Sequence, residues 1–426
     1  MTSLYPAHLQ TLLDRYQEAL QRFHLDQIVL ASGPKSYYFQ DDHSHPFHAY
    51  AGAQQWLPFD LGADTFIVVS SHAQPTLIWP VADDFWHAAN PVPAGDWQTL
   101  WNIKPTRQED NWSGQIRGKT AWVGPEYNSL PGSFERRQDL LHWLNFQRAY
   151  KSPYEIAMLR LANQRALKGH DAAEQAFLAG KSELGIYLDY LAASEQTSAQ
   201  EPYPGIVALN QHAAVLHYEH KATRAPDQSH TLLIDAGVNQ YGYASDITRT
   251  FTTSTGLFNT LLDKMTRMQL NLCQQAVAGL EFSELHAQAL IAIADILQDT
   301  GLCRLSSAEQ IERGITQTFF PHGLGHLLGL QVHDVGGHQI NAQGTLKKPD
   351  AQAPFLRLTR QLAENMVITI EPGLYFIPML LDKMQQNIPN HGCDMALIDS
   401  LKCYGGIRIE DNILITDGAS QNLTRN

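Results

Sequence analysis

Four carboxylates stand where apolar, strand-like runs end or turn. Asp235 follows Leu232-Leu233-Ile234 and precedes Ala236-Gly237, and eleven residues later comes Asp246, inside Tyr243-Ala-Ser-Asp-Ile-Thr-Arg249. Glu371 closes Met366-Val-Ile-Thr-Ile370 and leads into Pro372-Gly373, and Glu410 sits within Ile407-Arg-Ile-Glu-Asp-Asn-Ile413. A single carboxylate at a strand end commonly caps a turn or pairs with an arginine. Several packed together repel one another and cost desolvation energy unless a cation holds them. Four carboxylates with one imidazole would hold two divalent cations in a shared, oxygen-rich site. His322-Gly-Leu-Gly-His326 repeats the histidine spacing of a zincin. However, Gly323 takes the place of that motif's general-base glutamate, and two glycines disfavour the helix it needs. The chain contains neither a G-x-x-x-x-G-K-[ST] phosphate loop nor a G-x-S-x-G nucleophile elbow.

Leu232-Leu-Ile-Asp-Ala-Gly237, followed by Gly242-Tyr-Ala-Ser-Asp-Ile-Thr-Arg-Thr250, resembles the first two ligand segments of the pita-bread metallopeptidases. Phe320-Pro-His-Gly-Leu-Gly-His-Leu-Leu-Gly329 is similar to their histidine segment. Ile370-Glu-Pro-Gly-Leu-Tyr375 and Gly406-Ile-Arg-Ile-Glu-Asp-Asn412 match the third and fourth carboxylate segments, in the family's order. The likeness covers the chain from residue 151 onward. Three stretches resemble the bacterial Xaa-Pro dipeptidases (prolidases) rather than methionine aminopeptidase or aminopeptidase P. They are Phe39-Gln-Asp-Asp-His-Ser-His-Pro-Phe47, Pro204-Gly-Ile-Val-Ala-Leu-Asn-Gln-His-Ala-Ala-Val-Leu-His-Tyr218 and Gly373-Leu-Tyr-Phe-Ile-Pro-Met-Leu-Leu381. The same stretches resemble the organophosphorus acid anhydrolases, prolidases with a promiscuous second activity.

The resemblance implies that Asp235, Asp246, His326, Glu371 and Glu410 hold a metal pair, with Asp246 and Glu410 bridging both ions. Asp235 would bind one ion, and His326 with Glu371 the other. Manganese suits so carboxylate-rich a site, and cobalt or zinc fits the same ligands. Such a pair lowers the pKa of a shared water and stabilises the oxyanion formed when an amide is attacked. Glu371 would then carry a proton to the leaving prolyl nitrogen. His217 and His333 match the family's non-ligand histidines, which hydrogen-bond the scissile carbonyl, the leaving group or the substrate carboxylate. Outside such a motif, a histidine in an apolar run is ordinarily a hydrogen-bonded core residue. His322 either lines the pocket or orients His326.

Arg408 shares a strand face with Glu410. It either balances ligand charge or, as the resemblance implies, pairs with the dipeptide's terminal carboxylate. Tyr203 and Leu216 would line the pocket for the N-terminal side chain, with plain core packing as the alternative. Asp42 resembles the acidic residue that the partner subunit's first domain presents to the substrate's free amine, and is otherwise a solvated turn carboxylate. Phe282 stands where related enzymes often present a tyrosine hydroxyl to the pocket. The implied activity is hydrolysis of dipeptides with a C-terminal proline by a homodimer. The alternatives are aminopeptidase P action on longer Xaa-Pro peptides and a non-catalytic pita-bread binding module.

Two domains are expected to position these groups. Over residues 1–150, short strand signals (Gln27–Ala31, Phe66–Ser70, Thr76–Trp79, Ala121–Gly124) alternate with helix signals (Leu9–Phe23, Asp139–Arg148), which predicts a small α/β domain. Turns are expected at Pro91-Val-Pro93 and Pro131-Gly132. From residue 151 to 426 the pattern is α+β, and the resemblance makes it a pita-bread catalytic domain. Around Lys151–Arg160 a long helical periodicity begins, with Ile156, Leu159, Ala162 and Ala166 at three- and four-residue steps. Further helices fit Leu184–Ala193, Leu257–Ala278 and Ser283–Asp299, and strands fit Ile206–Leu209, Thr231–Ile234, Val367–Ile370 and Gly406–Ile415. With 426 residues and 44% apolar content the chain can bury sizeable cores. A formal charge of −13 excludes the positive footprint that nucleic-acid and polybasic membrane binders need. The four cysteines include no C-x-x-C pair, which argues against a disulfide scaffold or zinc ribbon. No run of about 18 apolar residues occurs, and the N-terminal segment reads as an amphipathic helix rather than a signal peptide. A cytoplasmic enzyme is expected.

Overall fold

The computed structural model describes residues 3–81, 85–86, 90–107, 110, 112–127 and 134–425. The chain divides into one unit of Met1–Gln147, Ser152–Met158 and Ala342–Gly344, and a second of Arg148–Lys151, Leu159–Asn341 and Thr345–Asn426. The expected Pro131-Gly132 turn, and Met1 at the start of the N-terminal segment, lie outside the described residues.

In the first unit a five-stranded sheet runs in the order Asn102–Thr106, Thr76–Pro80, Phe66–Ser70, Gln27–Ala31, Thr120–Val123. The two outermost pairings are parallel and the two inner ones antiparallel. Side chains two apart share a strand face, so Val29 and Ala31, Phe66 and Val68, Ile78 and Trp122 gather into one apolar layer. Helix Tyr5–Arg22 turns Leu9, Leu12, Tyr16 and Leu20 inward, and Gln17 ties it to Ser70 O at 3.0 Å. Strand Asn102–Thr106 escapes the sequence pattern. Its Asn-Ile-Lys-Pro-Thr has one aliphatic residue and a proline, and it survives as a strand because it lies at the sheet edge, paired on one side only.

The second unit carries three small antiparallel sheets that matter for the site. Ile206–Leu209, Thr231–Asp235 and Thr248–Thr252 form the first, with Thr231–Asp235 central. Val367–Ile370 pairs with Asp411–Leu414, and Gly373–Tyr375 with Gly406–Arg408. The expected single strand Gly406–Ile415 is therefore two. The chain changes partner at Ile409–Glu410, and Glu410 makes its own bridge to Thr248. Alternation decides what faces outward. Leu232 and Ile234 pack with Phe177, Ile186 and Tyr190 from helices Pro153–Leu178 and Glu183–Ala193. Ile368, Ile370, Ile407, Ile409 and Ile413 join the core built around helices Leu257–Gln275 and Phe282–Asp299. Asp235, Thr369, Glu371, Arg408 and Glu410 fall on the opposite faces, away from the helices. Among the described residues no helix is long and apolar enough to cross a membrane.

Candidate metal centre

The carboxylate strands and the histidine segment are brought together by backbone contact. His326 N–H donates to Thr369 Oγ1 at 3.0 Å, Thr369 N–H to His326 O at 3.0 Å and Glu371 N–H to Leu324 O at 2.8 Å. The segment around His326 thus runs as an extended strip along strand Val367–Ile370, not as a zincin helix. Gly325 permits the approach, since a Cβ there would lie 2.1 Å from Thr369 O. Gly237 does the same for the two aspartate segments, where a Cβ would meet Ser245 O at 2.0 Å. Asn412 locks Asp246 in place: its Oδ1 accepts from Asp246 N–H at 3.1 Å, and its Nδ2 donates to Asp246 O at 2.5 Å.

Asp246, His326 and Glu410 each offer one donor atom, and the three lie within 4.8 Å of one another, all buried. His326 Nε2 stands 3.3 Å from Asp246 Oδ2 and 3.4 Å from Glu371 Oε1. Its Nδ1–H is spent on Leu327 O at 3.0 Å, which points the Nε2 lone pair into the cluster. Tyr203 O–H is shared between Asp235 Oδ1 at 2.9 Å and Asp246 Oδ1 at 2.6 Å. Thr248 Oγ1 donates to Glu410 Oε2 at 2.7 Å, while the buried Glu410 Oε1 has no partner.

Protonation reports the strain of this crowding. Burial, then the charge of Asp246, raises Glu371 to about 7 against the pull of His326. Burial followed by the charges of Asp246, Glu371 and Asp235 pushes Glu410 well above the carboxylate range. Burial also raises Asp235, against the nearby Arg408. For Asp246 burial works upward too, but the hydrogen bond and charge of His326 outweigh it and hold the carboxyl low. His326 is raised, the two carboxylates overcoming burial. A carboxylate oxygen buried without a donor, beside three more carboxylates and an imidazole lone pair, fits divalent cations and little else.

Around the cluster the remaining expected residues fall in different places. Arg408, buried, donates from Nη2 to Asp235 Oδ2 at 2.6 Å, from Nη1 to Tyr375 Oη at 2.8 Å and from Nε to Thr248 Oγ1 at 3.2 Å. His322 donates from Nδ1 to Gly323 O at 2.8 Å, and its Nε2 accepts from Tyr375 O–H at 2.9 Å. Burial and the Arg408 charge hold His322 down to about 3, hence neutral. His333 packs edge-on against His326 with ring centroids 4.5 Å apart, its outer face in solvent. Partial burial and the charges of His326 and Arg357 lower it to about 4. His217 is exposed, close enough for its charge to act on His322 and His333. Leu216 packs beside Leu233 and Tyr375. Asp42 belongs to the other unit, in an exposed loop closed by the Tyr37–Ser44 bridge. Phe282 is fully buried at the start of its helix, inside the apolar core, where no hydroxyl is called for.

Sequence reasoning missed the orienting groups: Thr248, Thr369, Asn412 and Tyr375. A signal was available for three of them, since Thr248, Thr369 and Asn412 each lie two residues from a candidate ligand within a strand-like run. Arg357 was also passed over. It is exposed, its charge reaches His333 and His338, and no carboxylate pairs with it among the described residues.

Comparison with known proteins adds the context. Residues 157–417 match metallopeptidase family M24, and residues 3–146 match the Xaa-Pro dipeptidase N-terminal domain. An Xaa-Pro dipeptidase of Xanthomonas axonopodis pv. citri (strain 306) is 41% identical, over 100% of this chain and 98% of its own. One from Pseudoalteromonas atlantica is 38% identical with the same coverage, 100% and 98%. Among solved structures, Escherichia coli aminopeptidase P with the inhibitor Pro-Leu superposes with a TM-score of 0.75 at 22% identity, covering 100% of this chain and 95% of that one. The zinc-substituted form of that enzyme, in complex with product, gives 0.75 at 21% over the same shares, 100% and 95%. At that identity the structural likeness speaks for the fold.

Proposed function

The chain belongs to metallopeptidase family M24, and from that premise we propose that it is an Xaa-Pro dipeptidase working with two divalent cations. The observation that carries the reading is the buried cluster of Asp246, His326 and Glu410, with the partly buried Asp235 and Glu371 beside it and an unpartnered Glu410 oxygen. Likeness along the whole chain to Xaa-Pro dipeptidases supports the substrate class. Asp246 and Glu410 would serve both ions, Asp235 one, and Glu371 with His326 Nε2 the other. Bound there, such cations supply an acidified water and positive charge against a developing oxyanion. Manganese suits the carboxylate-dominated donors.

The chain's own groups then divide the remaining work. Glu371, whose side chain is 18% exposed against 7% for Asp246 and 3% for His326, is open to substrate and moves the proton to the prolyl nitrogen. His333, neutral at physiological pH, and His217 hydrogen-bond the scissile carbonyl and the leaving group. Arg408 is engaged by Asp235, Tyr375 and Thr248, which supports charge balance and ligand orientation as its role. The terminal carboxylate then falls to a guanidinium without an acid of its own, Arg357. Tyr203 steadies Asp235 and Asp246, Leu216 lines the side-chain pocket, and His322 fixes Tyr375. A homodimer in which one chain's Asp42 meets the amine of a dipeptide held by the other belongs to the same proposal. So does a cytoplasmic location, which the four free cysteines suit.

The test joins metal analysis to turnover of Xaa-Pro and Xaa-Pro-Yaa peptides by the unmodified chain and by Glu410→Ala. The dipeptide alone should be cleaved, and the variant should lose both metal and turnover. Comparable turnover of the tripeptide would make the enzyme an aminopeptidase P, and full metal content in the variant would remove the two-ion assignment.

A further inference from the structure

Away from the metal centre, Cys303 and Cys393 face each other in an antiparallel bridge. Arg304 N–H donates to Gly392 O at 2.9 Å, and Asp394 N–H donates to Leu302 O at 3.0 Å. These bonds flank the cysteines, so the pair occupies the non-hydrogen-bonded position of the ladder. At that position Cα atoms are about 4.5 Å apart and side chains are at their closest, which falls within the roughly 4.4–6.8 Å that a disulfide spans. Both Sγ atoms lie near one acceptor, the carbonyl of His391, at 3.7 Å for Cys303 and 3.6 Å for Cys393. The neighbouring Cys393 thiol draws Cys303 down to about 7. Cys303, then burial, holds the partly exposed Cys393 thiol well above its usual range, so Cys393 attacks as its proton passes to the Cys303 thiolate.

We propose that Cys303 and Cys393 form a dithiol redox site that closes to an intramolecular disulfide with a small-molecule disulfide as oxidant. Cys393 attacks one sulfur of R–S–S–R as its proton passes to the Cys303 thiolate. The oxidant's S–S bond breaks, a mixed disulfide forms, and the released thiolate takes up a proton. Cys303, having given its proton to solvent, attacks the Cys393 sulfur and expels the second thiol. The protein loses two hydrogens and two electrons' worth of reduction, and R–S–S–R becomes two R–SH. The chain between the two cysteines carries His322, His326, His333 and Glu371. A bridge at its ends would remove freedom from the unfolded chain over that whole stretch.

The experiment treats the folded full-length Cys403→Ser chain, which lacks the exposed thiol, with oxidised glutathione. Free thiols are counted, intact mass and a non-reduced peptide map are recorded, and melting is followed. The expected result is loss of two hydrogens, one cross-linked peptide pair containing Cys303 and Cys393, and a melting temperature higher by roughly 5–10 °C that dithiothreitol reverses. Adding Cys303→Ser should halt the reaction at a stable glutathione adduct on Cys393. A persistent adduct on Cys393 in the chain that keeps Cys303, or a bridge that forms only in denaturant, would overturn the proposal.

Discussion

The carboxylates of the centre lie against polar neighbours, several of which strand geometry sets beside them. Thr369 touches Glu371 at 3.4 Å from the same strand face, and Thr248 reaches Glu410 across the bridge between their segments. The two arginines near the site differ in the same terms. Arg408 is buried and spends three N–H groups on Asp235, Tyr375 and Thr248, so removing it leaves a buried carboxylate and a tyrosine short of donors. Arg357 is exposed beside His333 and pairs with no carboxylate among the described residues. Replacing each by methionine should therefore separate two effects. Arg408→Met should lower metal content and thermal stability, with Xaa-Pro and Xaa-Pro-amide turnover falling together. Arg357→Met should keep its metal and lose about 1.5–3 kcal/mol of transition-state stabilisation for the free acid alone. That corresponds to roughly a ten- to hundredfold drop in kcat/KM. If Arg357→Met retains the preference for the free acid over the amide, another group reads the carboxylate.

At the scale of elements, the strands of the centre were legible because they read as short, nearly continuous apolar runs. Val367–Ile370 and Ile206–Leu209 appear within the bounds that the pattern sets, and Thr231–Asp235 runs one residue further. What pattern could not reveal is pairing. In Gly406–Ile415 the polar run Glu410-Asp411-Asn412 interrupts the apolar alternation at the break, but the pattern alone does not say that the hydrogen bonds switch sheets there. The loop carrying Leu216 and His217 was equally opaque, for it is organised by one distant carboxylate. Glu183, buried at the start of helix Glu183–Ala193, accepts from Leu209 N–H at 2.9 Å, Ala222 N–H at 2.8 Å, Tyr218 O–H at 2.9 Å and His212 Nδ1 at 2.7 Å. Both ends of the 209–222 segment thus hang on one side chain. Glu183→Ala should cost about 2–4 kcal/mol of stability and speed proteolysis at Lys221. It should also lower kcat/KM for Xaa-Pro while metal content stays constant. Unchanged proteolysis together with unchanged kinetics would mean that the loop is held by other contacts.

For the whole molecule, the metal centre couples folding to pH. In the metal-free chain Glu371 is raised from 4.5 to about 7, and Glu410 and His326 are raised as well. Between pH 4.5 and about 7 the folded protein therefore keeps the Glu371 proton that the unfolded chain has released. Stability follows the protons bound by the unfolded state minus those bound by the folded state. For these groups that difference is negative, so their contribution to metal-free stability falls as pH rises through the window, by about 1.4 kcal/mol per pH unit for each group held protonated. Asp334 and Asp411 act in the opposite sense. Burial works to raise both, but Arg148 and Lys151 hold Asp334 low, and Arg249 and Arg425 hold Asp411 low. Their contribution is lost only as pH drops below the ordinary aspartate range. His170, His286, His322 and His333, held down to between about 3 and 4 chiefly by burial, also make stability rise with pH up to about 6.5. The metal-free protein should thus be most stable at about pH 6.5 and lose stability above it. Cations bind the folded chain and displace the same protons, so their stabilisation grows with pH. Melting followed by calorimetry from pH 5 to 8, with manganese or with a chelator, should show a gap between the two curves that widens steadily toward pH 8. Glu371→Gln, which cannot titrate, should flatten the slope of the chelated curve. A gap of constant width across that range would show that the carboxylates of the centre are already ionised without metal, and that their crowding is relieved by some other means.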